Sequence, residues 1–165
     1  MVSHQAQSLL VVEDSDEDFA AFERVLHKSP LFQKVYRCTN GDDALDFLRQ
    51  TGDYTDSANA PRPGMILLDL NLPGTDGREV LKEIKQDAIL KMIPVVVFTT
   101  SDNPRDVAGC YQCGANGYVV KPIDLQKLTK TVQVIVDYWF EVNTPPNLAG
   151  DRHETNSTEN RFNRR

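Results

Sequence analysis

The chain has no long apolar run and no excess of basic residues. None of its 165 residues lies in a stretch approaching the roughly 18–20 apolar residues of a transmembrane helix, and no charged and then apolar leader opens it. It carries 18 Lys and Arg against 24 Asp and Glu, a formal net charge of −6, whereas nucleic-acid binding needs clustered basic side chains. We therefore expect a cytoplasmic protein that binds neither a membrane nor nucleic acid.

Cysteine is also scarce, and three cysteines do not make a disulfide framework. Cys110 and Cys113 form a C-x-x-C motif, which in a redox enzyme would sit at the N-terminus of a helix. Here the motif falls in the later half of a predicted helix that ends at Gly114, so a structural role is the favoured interpretation. A redox protein remains an alternative, and it requires a thiol with a lowered pKa.

Strand-like and helix-like segments alternate five times along the chain. This alternation predicts an α/β fold, with a doubly wound five-stranded parallel sheet in the order 2-1-3-4-5 and helices on both faces. The predicted strands are 9–12, 34–38, 65–69, 95–98 and 117–120. The predicted helices begin after Ser15 and Asn40, span 78–87 and 105–113, and run from Asp124 to about residue 140.

The composition along the chain also predicts the domain bounds. We expect an N-terminal lead at 1–7, one folded domain at 8–142 and a disordered C-terminal tail at 143–165. The tail is rich in Pro, Asn, Glu, Arg, Ser and Thr and has almost nothing to bury, which is typical of disordered segments.

Polar side chains follow four of the predicted strands, at the edge where active sites of open α/β sheets lie. They are Glu13-Asp14, Asp69, Thr99 and Lys121. Each alone could be a helix cap, a turn former, a strand terminus or a solvated charge, but their joint appearance favours a site. Like-charged carboxylates about 4 Å apart repel by roughly 4 kcal/mol at an effective dielectric near 20. A divalent cation and the Lys121 ammonium would relieve that repulsion.

The residue types predict what this site binds. Carboxylate and carbonyl oxygens select Mg²⁺ or Mn²⁺, and Mg²⁺ readily accepts phosphate oxygens. A carboxylate can itself accept a phosphoryl group once the charge is neutralised, and Asp69 on the central strand is the best placed acceptor. We expect Asp14 and Asp69 to bind the metal directly, Glu13 through water, and Asn71 through its backbone carbonyl. Thr99 and Lys121 would hold the phosphoryl oxygens.

With these residues at these strand ends, the chain resembles the receiver domains of two-component response regulators over 8–140. The resemblance implies the flavodoxin-like receiver fold, Mg²⁺-dependent phosphorylation of Asp69 by a sensor histidine kinase, and a cis bond between Lys121 and Pro122. It also implies that Thr99 and Tyr118 form the conformational switch. At most slow self-dephosphorylation is then expected, rather than enzymatic turnover of a diffusible substrate.

A narrower resemblance concerns three stretches: the loop 52–64, the segment 98–102 and the aromatic ending 138–140. They are similar to the stand-alone regulators that serve cyanobacterial phytochrome histidine kinases. This resemblance implies a phytochrome kinase as partner and a regulator without its own output domain.

The last predicted helix carries a predicted partner surface. One face, which should cover the sheet, carries Leu125, Leu128, Val132, Ile135, Val136 and Trp139. Val134 and Tyr138 lie one turn apart on roughly the opposite face. An exposed apolar pair suggests a contact surface, and a symmetric homodimer is the simplest use of it.

A Mg²⁺-dependent phosphatase of the haloacid dehalogenase type is the main alternative, since such enzymes also use an aspartyl nucleophile with Thr and Lys. Their nucleophile follows the first strand and is followed two residues later by a second acid. In this chain Asp69 follows the third strand, and Asn71 occupies the position of that acid.

Overall fold

Five parallel strands and five α-helices alternate in the computed structural model, which describes residues 8–29 and 34–146. The predicted lead 1–7 and the tail residues 147–165 lie outside the described residues. The strands are β1 (Ser8–Val12), β2 (Lys34–Cys38), β3 (Met65–Leu68), β4 (Val95–Thr99) and β5 (Gly117–Val120). The helices are α1 (Asp16–Leu26), α2 (Gly41–Arg49), α3 (Gly77–Gln86), α4 (Pro104–Cys113) and α5 (Leu125–Asp137).

The sheet order is β2-β1-β3-β4-β5, and every neighbouring pair is parallel, as the alternation predicted. β1, β3 and β4 are apolar because helices cover them on both faces. Alternate residues therefore enter two cores. One core joins the sheet to α2 and α3, and it includes Leu10, Ile66 and Val97. The other joins it to α1 and α5, and it includes Leu9 and Phe98.

Side-chain caps start the helices close to the predicted positions. The Ser15 hydroxyl accepts a hydrogen bond from the Asp18 N–H at 3.2 Å, and the Asp124 carboxylate accepts one from the Lys127 N–H at 2.9 Å. α4 ends at Gly114, whose φ of 102° is easily adopted only by glycine. The two N-terminal caps fix where α1 and α5 leave the sheet edge that carries the polar groups.

The end of the chain departs from prediction in three details. α5 ends at Asp137 and continues as a π-helical turn, Tyr138–Val142, in which the Asn143 N–H bonds the Tyr138 carbonyl at 2.7 Å. Leu125, predicted to cover the sheet, is 54% exposed because it is the first residue of α5 and precedes the turn that reaches the core.

The third detail is the peptide bond before Pro122. No described residue has a cis peptide bond, so this bond is trans and the expected cis bond was wrong. The trans isomer is the intrinsically favoured one before proline, and with it Lys121 still reaches the carboxylates described below.

A helix that spans a membrane needs about 20 consecutive apolar residues. Within 8–29 and 34–146, no helix is both long enough and apolar enough to cross a bilayer.

Candidate functional site: an acidic cluster at the carboxyl ends of the strands

Glu13 and Asp14 follow β1 directly, and the backbone of Glu13 is fixed by the neighbouring strand β2. The Glu13 N–H donates to the Cys38 carbonyl at 3.0 Å, and the Arg37 side chain donates to the Glu13 carbonyl at 3.0 Å. The Glu13 carboxylate is buried and accepts the Ser15 N–H at 3.0 Å, whereas Asp14 is exposed. One acid thus points into the protein and the next faces solvent.

Asp69 follows β3 and extends its pairing with β1, because its N–H donates to the Val12 carbonyl at 3.1 Å. Its carboxylate is buried and accepts the Asn71 N–H at 3.2 Å. Gly77 allows α3 to lie directly against this segment, since a Cβ there would be 2.1 Å from the Asp69 carbonyl oxygen. The Asp69 backbone is therefore fixed by its hydrogen bond to β1 and by its close contact with the start of α3.

Carboxylate oxygens of Glu13, Asp14 and Asp69 all lie within 4.8 Å of one another. The predicted convergence of these three acids is confirmed in the structure. The donor set consists of hard oxygen atoms, which suits a divalent cation such as Mg²⁺ or Mn²⁺ rather than zinc.

Lys121 follows β5 and brings the positive charge to the cluster. Its ammonium Nζ is 2.5 Å from a Glu13 oxygen, 2.9 Å from an Asp18 oxygen and 3.0 Å from an Asp69 oxygen. Its backbone N–H donates to the Thr99 carbonyl at 2.7 Å, which fixes it beside the end of β4. One ammonium thus forms ion pairs with three carboxylates.

The electrostatics of the cluster follow from burial. Burial raises the pKa of Glu13 to about 7, although the hydrogen bond and charge of Lys121 act in the opposite direction. Burial also acts to lower the pKa of Lys121, but the hydrogen bonds and charges of the acids outweigh it and raise that pKa above its usual value. The acids exceed the single ammonium in number, so a further positive charge would stabilise the cluster.

Thr99 and Tyr118 meet at Ser101 rather than at the acids. Thr99 is fully buried, and its hydroxyl accepts the Ser101 N–H at 3.4 Å, a long hydrogen bond. The Tyr118 hydroxyl donates to the Ser101 carbonyl at 2.8 Å, and the Ser101 hydroxyl donates to Asp106 at 2.6 Å. Asp106 also receives two hydrogen bonds from the Arg78 guanidinium, both at 2.8 Å. The two predicted switch residues therefore share one contact residue.

Asp18 is a further member of the site, and the sequence did not predict it. Asp18 lies in the first turn of α1, three residues after the cap Ser15. α1 begins four residues after β1 ends, and this places an Asp18 carboxylate oxygen 2.9 Å from the Lys121 ammonium. An acid four residues after Asp14 was a usable signal, but the spacing alone does not show which cation the acid meets.

The remaining predicted residues lie elsewhere. Val134 lies on α5 and Tyr138 begins the π-helical turn that follows it. They are 59% and 49% exposed, so their predicted exposure is confirmed. Cys110 is buried and Cys113 exposed, both as free thiols at the end of α4. Burial raises the pKa of Cys110, whereas a redox thiol needs a lowered one, which argues against the redox alternative.

The chain is similar in sequence to known regulatory proteins. The sequence pattern of the response regulator receiver domain matches residues 9–133. Response regulator Rcp1 of Synechocystis sp. is 46% identical over 144 residues, which cover 87% of this chain and 96% of Rcp1. The probable methanogenesis regulatory protein FilR2 of Methanothrix harundinacea is 36% identical over 141 residues, covering 86% of this chain and 88% of FilR2.

Two solved structures are similar over almost their whole length. The Mn²⁺-bound form of Rcp1 superposes with a TM-score of 0.81 at 46% identity, covering 86% of this chain and 99% of that one. The phosphorylated cyanobacterial phytochrome response regulator RcpA superposes with a TM-score of 0.82 at 41% identity, covering 87% and 100%. With this fold and this sequence match, the chain belongs to the response regulator receiver domain family.

Proposed function

We propose that this response regulator accepts a phosphoryl group on Asp69 from a sensor histidine kinase and signals to a partner by a change of conformation. One observation carries the proposal: Asp69 stands at the end of a central strand, in contact with Lys121 and within 4.8 Å of two other acids. The bounds of β1 and of the π-helical turn support 8–142 as the receiver domain, with 1–7 and 143–165 outside it.

The transfer itself needs positioning and charge neutralisation. An oxygen of Asp69 attacks the phosphorus of a phosphohistidine, the P–O bond forms, the P–N bond breaks, and the imidazole leaves as the neutral base after taking up a proton. Lys121 stabilises the charge on the phosphoryl oxygens, and Thr99 donates a hydroxyl hydrogen bond to one of them. The buried backbone contacts of Asp69 hold its carboxylate in place for the attack.

A divalent cation, Mg²⁺ or Mn²⁺, completes the proposed site. Asp14, Asp69 and the backbone carbonyl of Asn71 would hold it directly, and Glu13 through a water molecule. When bound, it would neutralise charge on the acids and on the phosphoryl oxygens. The oxygen donor set supports this assignment, and the related Rcp1 has been solved with Mn²⁺ bound.

Thr99 and Tyr118 are the proposed switch. Movement of the Thr99 hydroxyl towards a phosphoryl group would break its long hydrogen bond to Ser101, and Tyr118 is bonded to the carbonyl of the same residue. A shift of Ser101 would therefore be passed to the Tyr118 ring and to the surface beside α4.

Phosphorylation with a small donor tests the proposal. Incubation with acetyl phosphate and Mg²⁺ should add one phosphoryl group to the intact chain, measured by mass spectrometry. Asp69→Asn should gain no phosphoryl group. Asp14→Asn should need a higher Mg²⁺ concentration to reach the same labelling, and chelation of the metal should abolish labelling. The exposed Asp56→Asn is the matched control and should behave like the unmodified chain. A phosphoryl group on Asp69→Asn would overturn the assignment.

We further propose that the kinase is a phytochrome histidine kinase, on the similarity to RcpA and Rcp1. Phosphotransfer should be at least about tenfold faster from a phytochrome kinase than from an unrelated histidine kinase at equal concentration, which corresponds to about 1.4 kcal/mol of discrimination. Equal rates from both kinases would remove the phytochrome assignment but not the phosphoacceptor role.

A homodimer through Val134 and Tyr138 is proposed as well, since both side chains are exposed, Val134 on α5 and Tyr138 at the start of the π-helical turn. The phosphatase alternative is less well supported, because Asp69 follows β3 and not β1, and the neighbouring position that such an enzyme would need as an acid is Asn71. Turnover of a generic phosphate ester would be required to favour it.

A further inference from the structure

Lys121 has no free N–H in the structure. An ammonium group has three donors, and three carboxylate oxygens, from Glu13, Asp18 and Asp69, lie within hydrogen-bond distance at 2.5, 2.9 and 3.0 Å. A phosphoryl oxygen can therefore receive a hydrogen bond from Lys121 only if one of these carboxylates gives up its own.

The three carboxylates differ in what that loss would cost. The Glu13 side chain is 2% exposed, and a buried acid left without its partner is strongly destabilised. The Asp69 side chain is 8% exposed and would itself carry the phosphoryl group, so it would stay beside Lys121 after the transfer. The Asp18 side chain is 29% exposed, so water can replace the lost hydrogen bond.

Asp18 also has a second source of stabilisation. It lies in the first turn of α1, where the helix dipole favours a negative charge. Its backbone N–H bonds the Ser15 hydroxyl, so the main chain stays in place when the side chain moves. Asp18 is therefore the partner that Lys121 can exchange at least cost.

We propose that Asp18 is a positioning residue that holds the Lys121 ammonium over the acidic cluster and gives up its hydrogen bond to an incoming phosphoryl oxygen, thereby competing with the phosphoryl group. This inference rests on the proposed function, since it assumes that Lys121 binds phosphoryl oxygens.

The test uses beryllofluoride with saturating Mg²⁺, a mimic of a phosphoryl group on a carboxylate, and measures its dissociation constant by fluorine NMR on the full chain. Asp18→Asn should bind beryllofluoride about three- to tenfold more tightly, because an uncharged amide competes less for Lys121. Asp18→Glu keeps the negative charge on a longer side chain and should tighten beryllofluoride binding less than Asp18→Asn does.

The matched control is Glu17→Gln, which removes one negative charge from the same helical turn. Glu17 is exposed, and its carboxylate makes no contact with Lys121 in the structure. The dissociation constant of beryllofluoride should differ between Glu17→Gln and the unmodified chain by less than about twofold. Thermal unfolding of all variants checks that each is folded.

The outcomes separate the two proposals. If the unmodified chain does not bind beryllofluoride, the proposed function and this inference both fail. If it binds, but Asp18→Asn binds equally or more weakly, or Glu17→Gln tightens binding as much, then only the role of Asp18 is overturned.

Discussion

Gly77 lies so close to the backbone of Asp69 and Leu70 that any other residue there would displace these atoms. A Cβ at this position would be 2.1 Å from the Asp69 carbonyl oxygen and 2.6 Å from the Leu70 Cα, and backbone atoms cannot move aside cheaply. We expect Gly77→Ala to lower the free energy of unfolding by about 1–3 kcal/mol, in the range of other overpacked positions. Urea unfolding at neutral pH measures this, and acetyl phosphate labelling of the same variant should be slower.

Gly109 provides the matched control at the residue scale. It lies inside α4, and a Cβ built there has nothing within 4 Å. Gly109→Ala should therefore raise the free energy of unfolding by about 0.5–1 kcal/mol through helix propensity. If both alanines had the same effect, contact with the Asp69 backbone would not be the cause.

At the scale of elements, Asp106 ties α3, α4 and the loop after β4 together. Its carboxylate receives hydrogen bonds from Arg78 and Ser101, and these lower its pKa from 3.8 to about 2, the Arg78 bonds contributing most. A lowered pKa in the folded state gives stability that is complete above the unfolded pKa and is lost as pH falls towards the folded pKa.

Asp106→Asn should therefore destabilise the protein most at neutral pH. We expect a loss on the order of 1 kcal/mol near pH 7, kept modest because Arg78 is partly solvated. The difference from the unmodified chain should shrink as pH falls from about 4 towards 2. Urea unfolding across this range measures it. Asp102→Asn, an exposed acid of the same loop, should show no such difference; a constant difference at all pH values would contradict the explanation.

Most of the elements could be predicted because their signals are local. The apolar run of β3, the cap Ser15 and the stop at Gly114 each depend on a few neighbouring residues. The polar strand ends could be grouped because parallel strands share one edge. The exposure of Leu125 and the contact of Asp18 with Lys121 depend on how a helix sits on the sheet, which residues adjacent in sequence do not specify. The latter pair is 103 residues apart.

At the scale of the whole molecule, the exposed pair Val134 and Tyr138 predicts self-association. If Val134 and Tyr138 lie across a two-fold axis, Val134→Asp places like charges at the centre of the contact. The dimer dissociation constant should then rise more than about tenfold, a cost above 1.4 kcal/mol. Sedimentation equilibrium, with and without acetyl phosphate, measures this.

Ile89→Asp is the control for that substitution. Ile89 is 51% exposed in the connection between α3 and β4, so it presents a comparable apolar surface elsewhere. Ile89→Asp should leave the dimer dissociation constant unchanged. A purely monomeric unmodified chain, or equal effects of the two aspartates, would contradict the α5 interface.

The reach of Lys121 has a consequence for biosynthesis. Its partners Glu13 and Asp69 precede it by 108 and 52 residues, so during translation the acids emerge well before the ammonium that holds them together. Until β5 docks, the nascent polypeptide bears an unbalanced anionic patch that repels phosphate. On the proposed function, a kinase can then phosphorylate only chains that are complete through β5. Unfinished chains do not take part in signalling.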